Sequence, residues 1–440
     1  MDARTQPGSF DILSQQLGGF FNGHTQMRAA SDEPALITRV ESLGDVSQIW
    51  PHIGHRGPAH RRDSIQGAGV GLDTDDVAIR AKGEGLERYC TAVFSKEQII
   101  KATAEELGND ALDLDLVPRC STTELANPLC PLRAPDKRIP IRWVRGLSLM
   151  NGRPVYMPLI MVYLYTGIMG EGERFWSSIT TGCAAHVSLE RALVAAILEV
   201  VERDAISVTW LQQLGLPKLN IDMFPEPLAA YWERYQHSSG ELEYVFFDGS
   251  TDLGIPTIYG LQIAPANRRL TTLVSCSTSL NPADAVVRVM REMASCRTAF
   301  RQPRPTPEAM EDFTDIFHGA SFMARAEQAH AFQFLLGSGQ SRSLSQLGAI
   351  DAEDDHQALR TILEILRARG LEAFSVELST DEALRAGIRV VRVLIPGLQP
   401  VAFNYRARYL GHPRLYELPK KLGYPVLSEN ELNRWPQPFA

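Results

Sequence analysis

The chain contains 440 residues, of which 44% are hydrophobic and 22% charged, a composition ordinary for a globular protein with one large domain or two or three smaller ones. Its 44 lysines and arginines against 52 aspartates and glutamates leave a net charge of −8, which argues against a general binder of nucleic acids or anionic membranes, because either needs a basic surface. The six cysteines lie at least ten residues apart and the first residues show no basic-then-apolar pattern, so we predict no zinc ribbon, no secretion signal and a cytoplasmic location.

The predicted elements begin with a loose arm over residues 1–30, followed by a strand at 35–43, where apolar and polar residues alternate. Residues 51–71 are rich in glycine and histidine and predict a long loop. A helix is expected to start near Thr74, because two aspartates suit its first turn. The apolar stretch 154–165 predicts a buried strand or a pair of strands.

Farther along, the sequence predicts a second long helix over 188–213 and three strands within 242–278, separated by turn residues. Asn281 followed by Pro282 at the first helical position predicts the start of a third helix. A further strand is predicted at 389–398.

The domain organisation follows from the absence of a dividing linker of low complexity. We predict a single large domain of the α/β or α+β class at 61–440, behind an N-terminal arm and first strand at 1–60. The sequence has no Gly-Lys dipeptide and therefore no P-loop, and it lacks H-E-x-x-H and G-x-S-x-G. GAGVG at 67–71 lacks the glycine spacing of a dinucleotide-binding turn.

Two segments share the pattern Glu-x-x-Glu-Arg, 115 residues apart: EGLERY at 84–89 and EVVERD at 199–204. On a helix, residues i and i+3 are neighbours, so each segment puts two carboxylates on one face. If the two faces meet, four like charges require a bound cation or retained protons. Mg²⁺ suits such a site, because it takes one or two carboxylates together with substrate phosphates. Each segment alone equally fits a solvated helix face, so the pattern leaves both interpretations open.

The wider sequence resembles the YcaO family. Residues 67–89 resemble its first signature, 180–205 its second and 283–297 its third, while 412–424 and 434–440 resemble the end of azoline-forming members. The resemblance implies a dedicated α/β fold that binds ATP between helices without a P-loop and holds Mg²⁺ around the phosphates with glutamates.

The resemblance also implies roles for particular residues. The implied Mg²⁺ ligands are the glutamates of the repeated pattern, Glu84, Glu87, Glu199 and Glu202. The implied nucleotide-binding residues, whose arginines would face phosphate oxygens, are Arg88, Glu190, Arg203, Glu292 and Arg297. Pro436 and Pro438 would stiffen the C-terminal segment and bring the carboxylate of Ala440 into the active site, where it could orient the substrate or take a proton.

Several positions depart from the usual family sequence. Val70 stands where Lys is usual, Thr180 and Thr181 replace Ser-Asn, Ser295 replaces Gln, and Ala440 replaces a final Pro. All four glutamates of the repeated pattern are kept, so these departures bear on individual ATP contacts more than on the activity.

The function implied by the resemblance is an ATP- and Mg²⁺-dependent cyclodehydratase. Such enzymes convert Cys, Ser or Thr of a ribosomal precursor peptide into thiazoline or oxazoline in bacteriocin-like antibiotic biosynthesis. They work with a leader-binding partner protein, and a flavin dehydrogenase acts after some of them in a synthetase complex. We also predict a homodimer. The alternatives are a YcaO enzyme that forms thioamides or amidines, and a non-catalytic YcaO scaffold subunit.

Overall fold

The computed structural model describes residues 10, 12–14, 19–44, 46–50, 52–53, 65–167, 170–238 and 241–439. Its strands are β1 (Gly23–Arg28), β2 (Ile37–Ser42), β3 (Gln66–Gly71), β4 (Ile99–Ala102), β5 (Ile141–Ser148), β6 (Pro154–Pro158), β7 (Cys183–His186), β8 (Lys218–Asn220), β9 (Glu243–Asp248), β10 (Thr257–Ile263), β11 (Thr272–Thr278), β12 (Ser341–Ser343), β13 (Phe374–Glu377) and β14 (Arg389–Leu394). Its α-helices are α1 (Thr74–Cys90), α2 (Ala104–Leu107), α3 (Thr122–Ala126), α4 (Leu159–Val162), α5 (Leu189–Leu211), α6 (Leu228–Gln236), α7 (Pro282–Ala299), α8 (Ile316–Met323), α9 (Gln333–Leu336), α10 (Asp355–Ala368), α11 (Asp381–Arg385) and α12 (Arg414–Lys421).

Within these ranges the strands form three sheets. The smallest is antiparallel with the order β1-β2-β3. The second has the order β11-β10-β9-β8-β12, in which β12 pairs with β8 in parallel. The third has the order β4-β5-β13-β14-β7, with β6 paired to β5. The predicted mixed α/β architecture is confirmed.

Three long helices connect the three sheets in a closed triangle. Helix α1 packs on β3 and β2 of the smallest sheet and on β7 of the third sheet. Helix α5 packs on β7 and β14 of the third sheet and on β11 of the second. Helix α7 packs on β10 and β11 of the second sheet and on β3 of the smallest. Each helix therefore bridges two sheets, and each sheet contacts two of the three helices.

The starts of these helices follow from their capping residues. The side chain of Asp73 accepts from the backbone N–H groups of the first turn of α1, Ser188 does the same for α5, and Asn281 for α7, where Pro282 occupies the first helical position. Each side chain satisfies donors that have no partner inside the helix. The helices predicted from Thr74, over 188–213 and from Asn281 are therefore confirmed.

The glycine-rich end of the predicted loop 51–71 is instead a strand. Residues 66–71 form β3, and a side chain at Gly67 or Gly69 would overlap the backbone of α1, whose carbonyl groups at Ala81 and Val77 lie against them. The glycines therefore allow close approach of strand and helix rather than a turn. The loop prediction was wrong for residues 66–71, because glycine is common both in turns and where the backbones of a strand and a helix approach closely.

Two further parts of the prediction differ from the structure. Residues 23–28, assigned to the loose arm, form β1, paired to β2. The run 154–165 forms β6 and then the short helix α4, since a continuous apolar run does not separate strand from helix by its period. The division at residue 60 stays a prediction, and the pairing of β2 with β3 crosses it.

The described elements bury apolar residues between the sheets and helices. Leu86 of α1, Val201 of α5 and Val289 of α7 are each fully buried. In the part of the chain that the structure describes, no helix combines the length and the apolar character needed to cross a bilayer.

Candidate active site

The first glutamate of the repeated pattern fixes α1 to β3. Glu84 Oε2 accepts a hydrogen bond of 2.6 Å from the backbone N–H of Ala68. Its other oxygen, Oε1, lies 2.5 Å from Arg88 Nη2, and Arg88 also donates to the carbonyl of Gln66 at 2.7 Å. The carboxylate of Glu87 has no hydrogen bond within the described residues and is therefore the less constrained carboxylate of the pair.

The second pair, on α5, is anchored in the same way. Glu199 Oε2 accepts from the backbone N–H of Gly182 at 3.1 Å, and Glu202 Oε2 accepts from that of Thr278 at 3.0 Å. Arg203 joins the two, because its Nη2 lies 3.2 Å from Glu199 Oε1 and its Nη1 lies 2.9 Å from Glu202 Oε1. Backbone groups next to β7 and at the end of β11 thus hold both carboxylates.

The anchor of Glu199 requires a glycine. Gly182 has a φ of +81°, a region that residues with a side chain rarely adopt. A Cβ there would also overlap the carbonyl oxygen of Val393 on β14 and lie 2.9 Å from the side chain of Val200. The glycine of the second signature is therefore explained by backbone geometry that presents an N–H group to a carboxylate.

The carboxylates of α1 and α5 come within electrostatic reach of each other. Burial raises the pKa of Glu87 well above its usual range, and the charges of Glu199 and Glu84 raise it further, while Arg88 and Arg392 oppose the rise. The structure thus brings together the two faces that the repeated pattern placed on separate helices.

The remaining carboxylate of the site comes from α7. Burial raises the pKa of Glu202 to about 7, with Arg203 opposing the rise and Glu199 and Glu292 adding to it. The side chain of Glu292 is exposed, and lost solvation and the charge of Glu84 both raise its pKa. Burial alone would lower the pKa of Arg203, but Glu202 and Glu199 outweigh it and the pKa rises.

Two arginines of α7, which the sequence analysis did not single out, belong to the same site. Burial lowers the pKa of Arg288 to about 10, and neighbouring Arg291 adds to the effect. Burial and Arg80 lower the pKa of Arg291. Neither α7 arginine forms an ion pair with a described carboxylate. The available signal was the spacing of Arg288 four residues before Glu292, which puts both on one helix face.

Two of the predicted nucleotide-binding residues, Glu190 and Arg297, are separated from the repeated glutamate pairs. Glu190 is in the first turn of α5, nine residues before Glu199, which is about 14 Å along the helix axis. Arg297 is buried, and it donates to Gln262 Oε1 at 2.6 Å and to the carbonyl of Leu270 at 3.3 Å. These donors connect α7 to the second sheet, and the phosphate contact of Arg297 stays a prediction.

The departures from the family sequence have distinct surroundings. Val70, at the position where Lys is usual, is 5% exposed in a cluster of buried residues with Leu36 and Tyr231. Thr181 lines a pocket beside Arg203. The apolar surroundings of Val70 explain why an uncharged residue is accommodated there.

The proline-rich C-terminal segment is packed into the protein. Pro436 and Pro438 are buried. Trp210 of α5 donates its indole N–H to the carbonyl of Trp435 at 3.2 Å, and Gly319 of α8 lies directly against the backbone of Gln437. The segment is therefore held along its length.

The last described residue of this segment lies near the carboxylate site. The ring of Phe439 meets that of Tyr259 edge-on at 5.3 Å between centroids. Tyr259 pairs with Cys276 of the next strand, and the pKa of Cys276 is raised by burial and by Glu202. Ala440, whose carboxylate is predicted to reach the active site, lies outside the described residues.

The arrangement suits a divalent cation bound together with phosphates. Among the described residues, no group of three His, Cys, Asp or Glu side chains converges as a closed metal site. Mg²⁺ is usually held by one or two carboxylates and by substrate phosphates, and α1 and α5 each supply such a pair. Arg288 and Arg291 form no ion pair within the part of the chain that the structure describes, so their guanidinium groups could bind phosphate oxygens.

Comparison with known proteins agrees with this chemistry. A family model described as YcaO cyclodehydratase, binding ATP and Mg²⁺, matches residues 68–399. An uncharacterized protein from the tfuA 3′ region of Rhizobium leguminosarum bv. trifolii is 26% identical over 381 residues, which cover 82% of this chain and 84% of that protein.

Solved structures share the fold. A heterocyclase in complex with substrate and cofactor superimposes with a TM-score of 0.81 at 20% identity over 99% of this chain, which spans 57% of that chain. YcaO from Methanopyrus kandleri, bound with AMPPCP and Mg²⁺, has a TM-score of 0.61 at 17% identity, covering 87% of this chain and 86% of that one. A chain of the E. coli microcin synthetase McbBCD complex has a TM-score of 0.57 at 14% identity, covering 88% and 91%.

Proposed function

This chain belongs to the YcaO family of ATP- and Mg²⁺-binding proteins, and we propose that it is a cyclodehydratase acting on a ribosomal precursor peptide. The observation that carries the proposal is that carboxylates on α1, α5 and α7 raise one another's pKa, with two α7 arginines nearby that form no ion pair among the described residues. A site with this charge pattern is suited to neutralise a polyphosphate and its metal ion.

In this proposal the carboxylates divide into anchored and adaptable ligands. Glu84, Glu199 and Glu202 each give one oxygen to a backbone N–H, which fixes their direction, and Glu87 is free to adjust. An oxygen that accepts one hydrogen bond keeps a second lone pair for a cation. The proposed Mg²⁺ ligands are therefore these four glutamates, and Glu292 adds a further negative charge beside them.

The arginines are proposed to neutralise the phosphates. Arg203 is oriented by Glu199 and Glu202, and Arg88 by Glu84, whereas Arg288 and Arg291 form no ion pair with a carboxylate of the described residues. A guanidinium group presents two parallel donors to a phosphate, which lysine cannot reproduce. Arg203→Lys should therefore weaken nucleotide binding even though its charge is kept.

The proposed reaction forms a five-membered ring in the peptide. The side chain of a Cys, Ser or Thr attacks the preceding backbone carbonyl, and loss of the former amide oxygen gives thiazoline or oxazoline. ATP, when bound, supplies the phosphoryl group that makes this oxygen a leaving group. The chain itself positions the amide and neutralises charge, which is what dominates catalysis of phosphoryl transfer.

We propose that the C-terminal carboxylate takes part in the same site. The support is the buried course of Pro436 and Pro438 and the position of Phe439 against Tyr259, one strand away from Cys276 near Glu202. In this proposal the carboxylate of Ala440 orients the peptide or accepts its proton.

The proposed partners are a precursor peptide and a separate leader-binding protein. The microcin synthetase, one of whose chains shares this fold, is a complex of different proteins, which supports association with partners. A flavin dehydrogenase in the same complex, a homodimer and a cytoplasmic location remain predictions.

The test combines binding with product analysis. Calorimetric titration with Mg²⁺ and AMPPCP should show binding by the wild type and by the surface control Glu364→Gln, and loss of binding by Glu199→Gln. Phosphate release with candidate precursors and partner proteins should accompany a mass loss of one water per modified residue. Extending the chain after Ala440 should reduce product formation much more than nucleotide affinity. Wild-type activity of Glu199→Gln would refute the proposed site. Replacement of a peptide oxygen by sulfur would favour the thioamide alternative, and loss of water with consumption of a peptide amine in place of a Cys, Ser or Thr side chain would favour the amidine alternative.

A further inference from the structure

The backbone amide that holds Glu199 belongs to the turn that leads into β7, which we call the 179–183 turn. The N–H of Gly182 in this turn donates to Glu199 Oε2 at 3.1 Å. The turn also closes on itself, since the backbone N–H of Cys183 donates to the carbonyl of Thr180 at 3.0 Å. The direction in which Gly182 presents its N–H therefore depends on how the turn is held.

Arg392 of β14 binds both ends of the 179–183 turn. Its Nη1 donates to the carbonyl of Ile179 at 2.7 Å and to Cys183 Sγ at 3.0 Å. Cys183 is also the residue opposite Arg392 in the antiparallel pairing of β14 with β7. One nitrogen atom thus ties the first and the last residue of the turn to the same point of the third sheet.

The guanidinium group of Arg392 is buried without an ion pair. The residue is 2% exposed, and no carboxylate of the described residues forms an ion pair with it. Arginines are seldom fully buried unless they are paired, because burial of a charge costs free energy. Burial raises the pKa of Glu87 and of the Cys183 thiol, and the charge of Arg392 opposes both rises. Arg392 therefore also lies within electrostatic reach of the carboxylate site.

The side chains inside the turn do not share this task. Thr180 and Thr181, which stand where Ser-Asn is usual, form no side-chain hydrogen bond within the part of the chain that the structure describes. The side-chain contacts that hold the two ends of the turn are therefore those of Arg392.

We propose that Arg392 is a positioning residue for nucleotide binding, which fixes the 179–183 turn so that the amide of Gly182 points at Glu199. The inference rests on the proposed function and adds to it a residue outside the three signatures. In this proposal Arg392 contacts neither the nucleotide nor the metal ion. It acts through the direction of one N–H group, and without it Glu199 loses part of its orientation.

The Gly182 amide can be observed without nucleotide. Protein labelled with ¹³C at the threonine carbonyl and with ¹⁵N in glycine gives a carbonyl-to-nitrogen correlation only where glycine follows threonine, which is at Gly167 and Gly182. The resonance that moves in Glu199→Gln is that of Gly182. Arg392→Met should move the same resonance and leave that of Gly167 in place. An unmoved Gly182 resonance in Arg392→Met would overturn the proposal.

Arg142 provides the matched control. It lies on β5 of the same sheet, and its Nη1 donates to the carbonyl of Thr166, also at 2.7 Å. This carbonyl belongs to the peptide group whose N–H is that of Gly167. Arg142→Met should therefore move the Gly167 resonance and not that of Gly182. A Gly182 shift of equal size in both variants would indicate a general change in the sheet and would overturn the positioning role.

Nucleotide affinity is the second measurement. Arg392→Met should lower Mg·AMPPCP affinity about tenfold in calorimetry, because the hydrogen bond that orients Glu199 is made to a charged group. Arg142→Met should leave the affinity unchanged. Both bonds of Arg392 come from one nitrogen, so Arg392→Lys, which keeps a donor nitrogen and the charge, should restore most of the affinity. Wild-type affinity in Arg392→Met would refute the positioning role.

Variants of Cys183 keep the proposal testable if Arg392→Met does not fold. Cys183→Ala removes one contact of Arg392 and keeps its charge, so it should move the Gly182 resonance and weaken Mg·AMPPCP binding. Cys183→Ser keeps an acceptor and should weaken binding less, and equal effects of the two variants would count against the contact. Failure of the wild type to bind Mg·AMPPCP would instead refute the proposed function, and it would leave the shift of the Gly182 resonance unaffected.

Discussion

Replacing Glu202 with glutamine is expected to stabilise the metal-free protein while abolishing Mg·ATP binding. Burial and neighbouring carboxylates raise the pKa of Glu202 from 4.5 to about 7. Between pH 4.5 and 7, Glu202 therefore carries a proton in the folded protein but not in the unfolded chain. Its stability falls as the pH rises from about 4.5 to 7, and the penalty is complete above pH 7. Glutamine resembles the protonated acid and carries no such penalty.

The magnitude follows from the size of the shift. A difference of 2.5 pKa units corresponds to about 3 kcal/mol at about 1.36 kcal/mol per unit. With an unfolding entropy of about 2.1 cal/mol/K per residue, a chain of 440 residues converts this into a Tm increase of about 3 °C. The gain should be largest at pH 8 and close to zero at pH 4.5.

The assay is thermal unfolding of wild type and Glu202→Gln in a chelator between pH 4.5 and 8, followed by the same series with Mg²⁺ and AMPPCP. Nucleotide should raise the Tm of the wild type only, because the variant lacks one of the proposed ligands. Glu364→Gln, at an exposed position of α10, controls for removal of a charge. A difference in Tm that does not change with pH would refute the reasoning that Glu202 is a buried carboxylate held among like charges.

Two further predictions concern α7 and the second signature. Arg288→Met should lower Mg·AMPPCP affinity at least tenfold in calorimetry without lowering the Tm, because it removes a partly buried charge that forms no ion pair among the described residues. Arg360→Met, on the exposed face of α10, is the control and should change neither quantity. Unchanged affinity in Arg288→Met would exclude the phosphate role. Gly182→Ala should destabilise the protein by at least about 2 kcal/mol and weaken nucleotide binding, because a positive φ combines with overlap at Val393. Gly370 has a φ of +69° and open space around it, so Gly370→Ala should lower the free energy of unfolding only by the backbone strain, about 1 kcal/mol. Equal losses of unfolding free energy in Gly182→Ala and Gly370→Ala, measured by urea unfolding, would exclude steric overlap as the cause.

Local patterns in the sequence determined the three long helices and the carboxylate pairs on them. Capping residues such as Ser188 and Asn281 act on backbone groups within one turn, and the spacing of Glu199 and Glu202 reflects helix geometry alone. Such features depend on neighbours a few residues away, so they are legible without the rest of the fold. The order of the signatures along the chain likewise identified the family, which the family model confirms.

Only the tertiary structure decided which of these residues meet. Arg288 lies at the site. Arg297, nine residues later on the same helix, instead donates a hydrogen bond to Gln262, because the second sheet covers that side of α7. The glycines of β3 gave no local sign of the helix packed against them. Ile179 and Arg392 are more than 200 residues apart, and their hydrogen bond depends on the pairing of β14 with β7. Contacts between distant segments are fixed by how whole sheets and helices pack, and no short stretch of sequence carries that information.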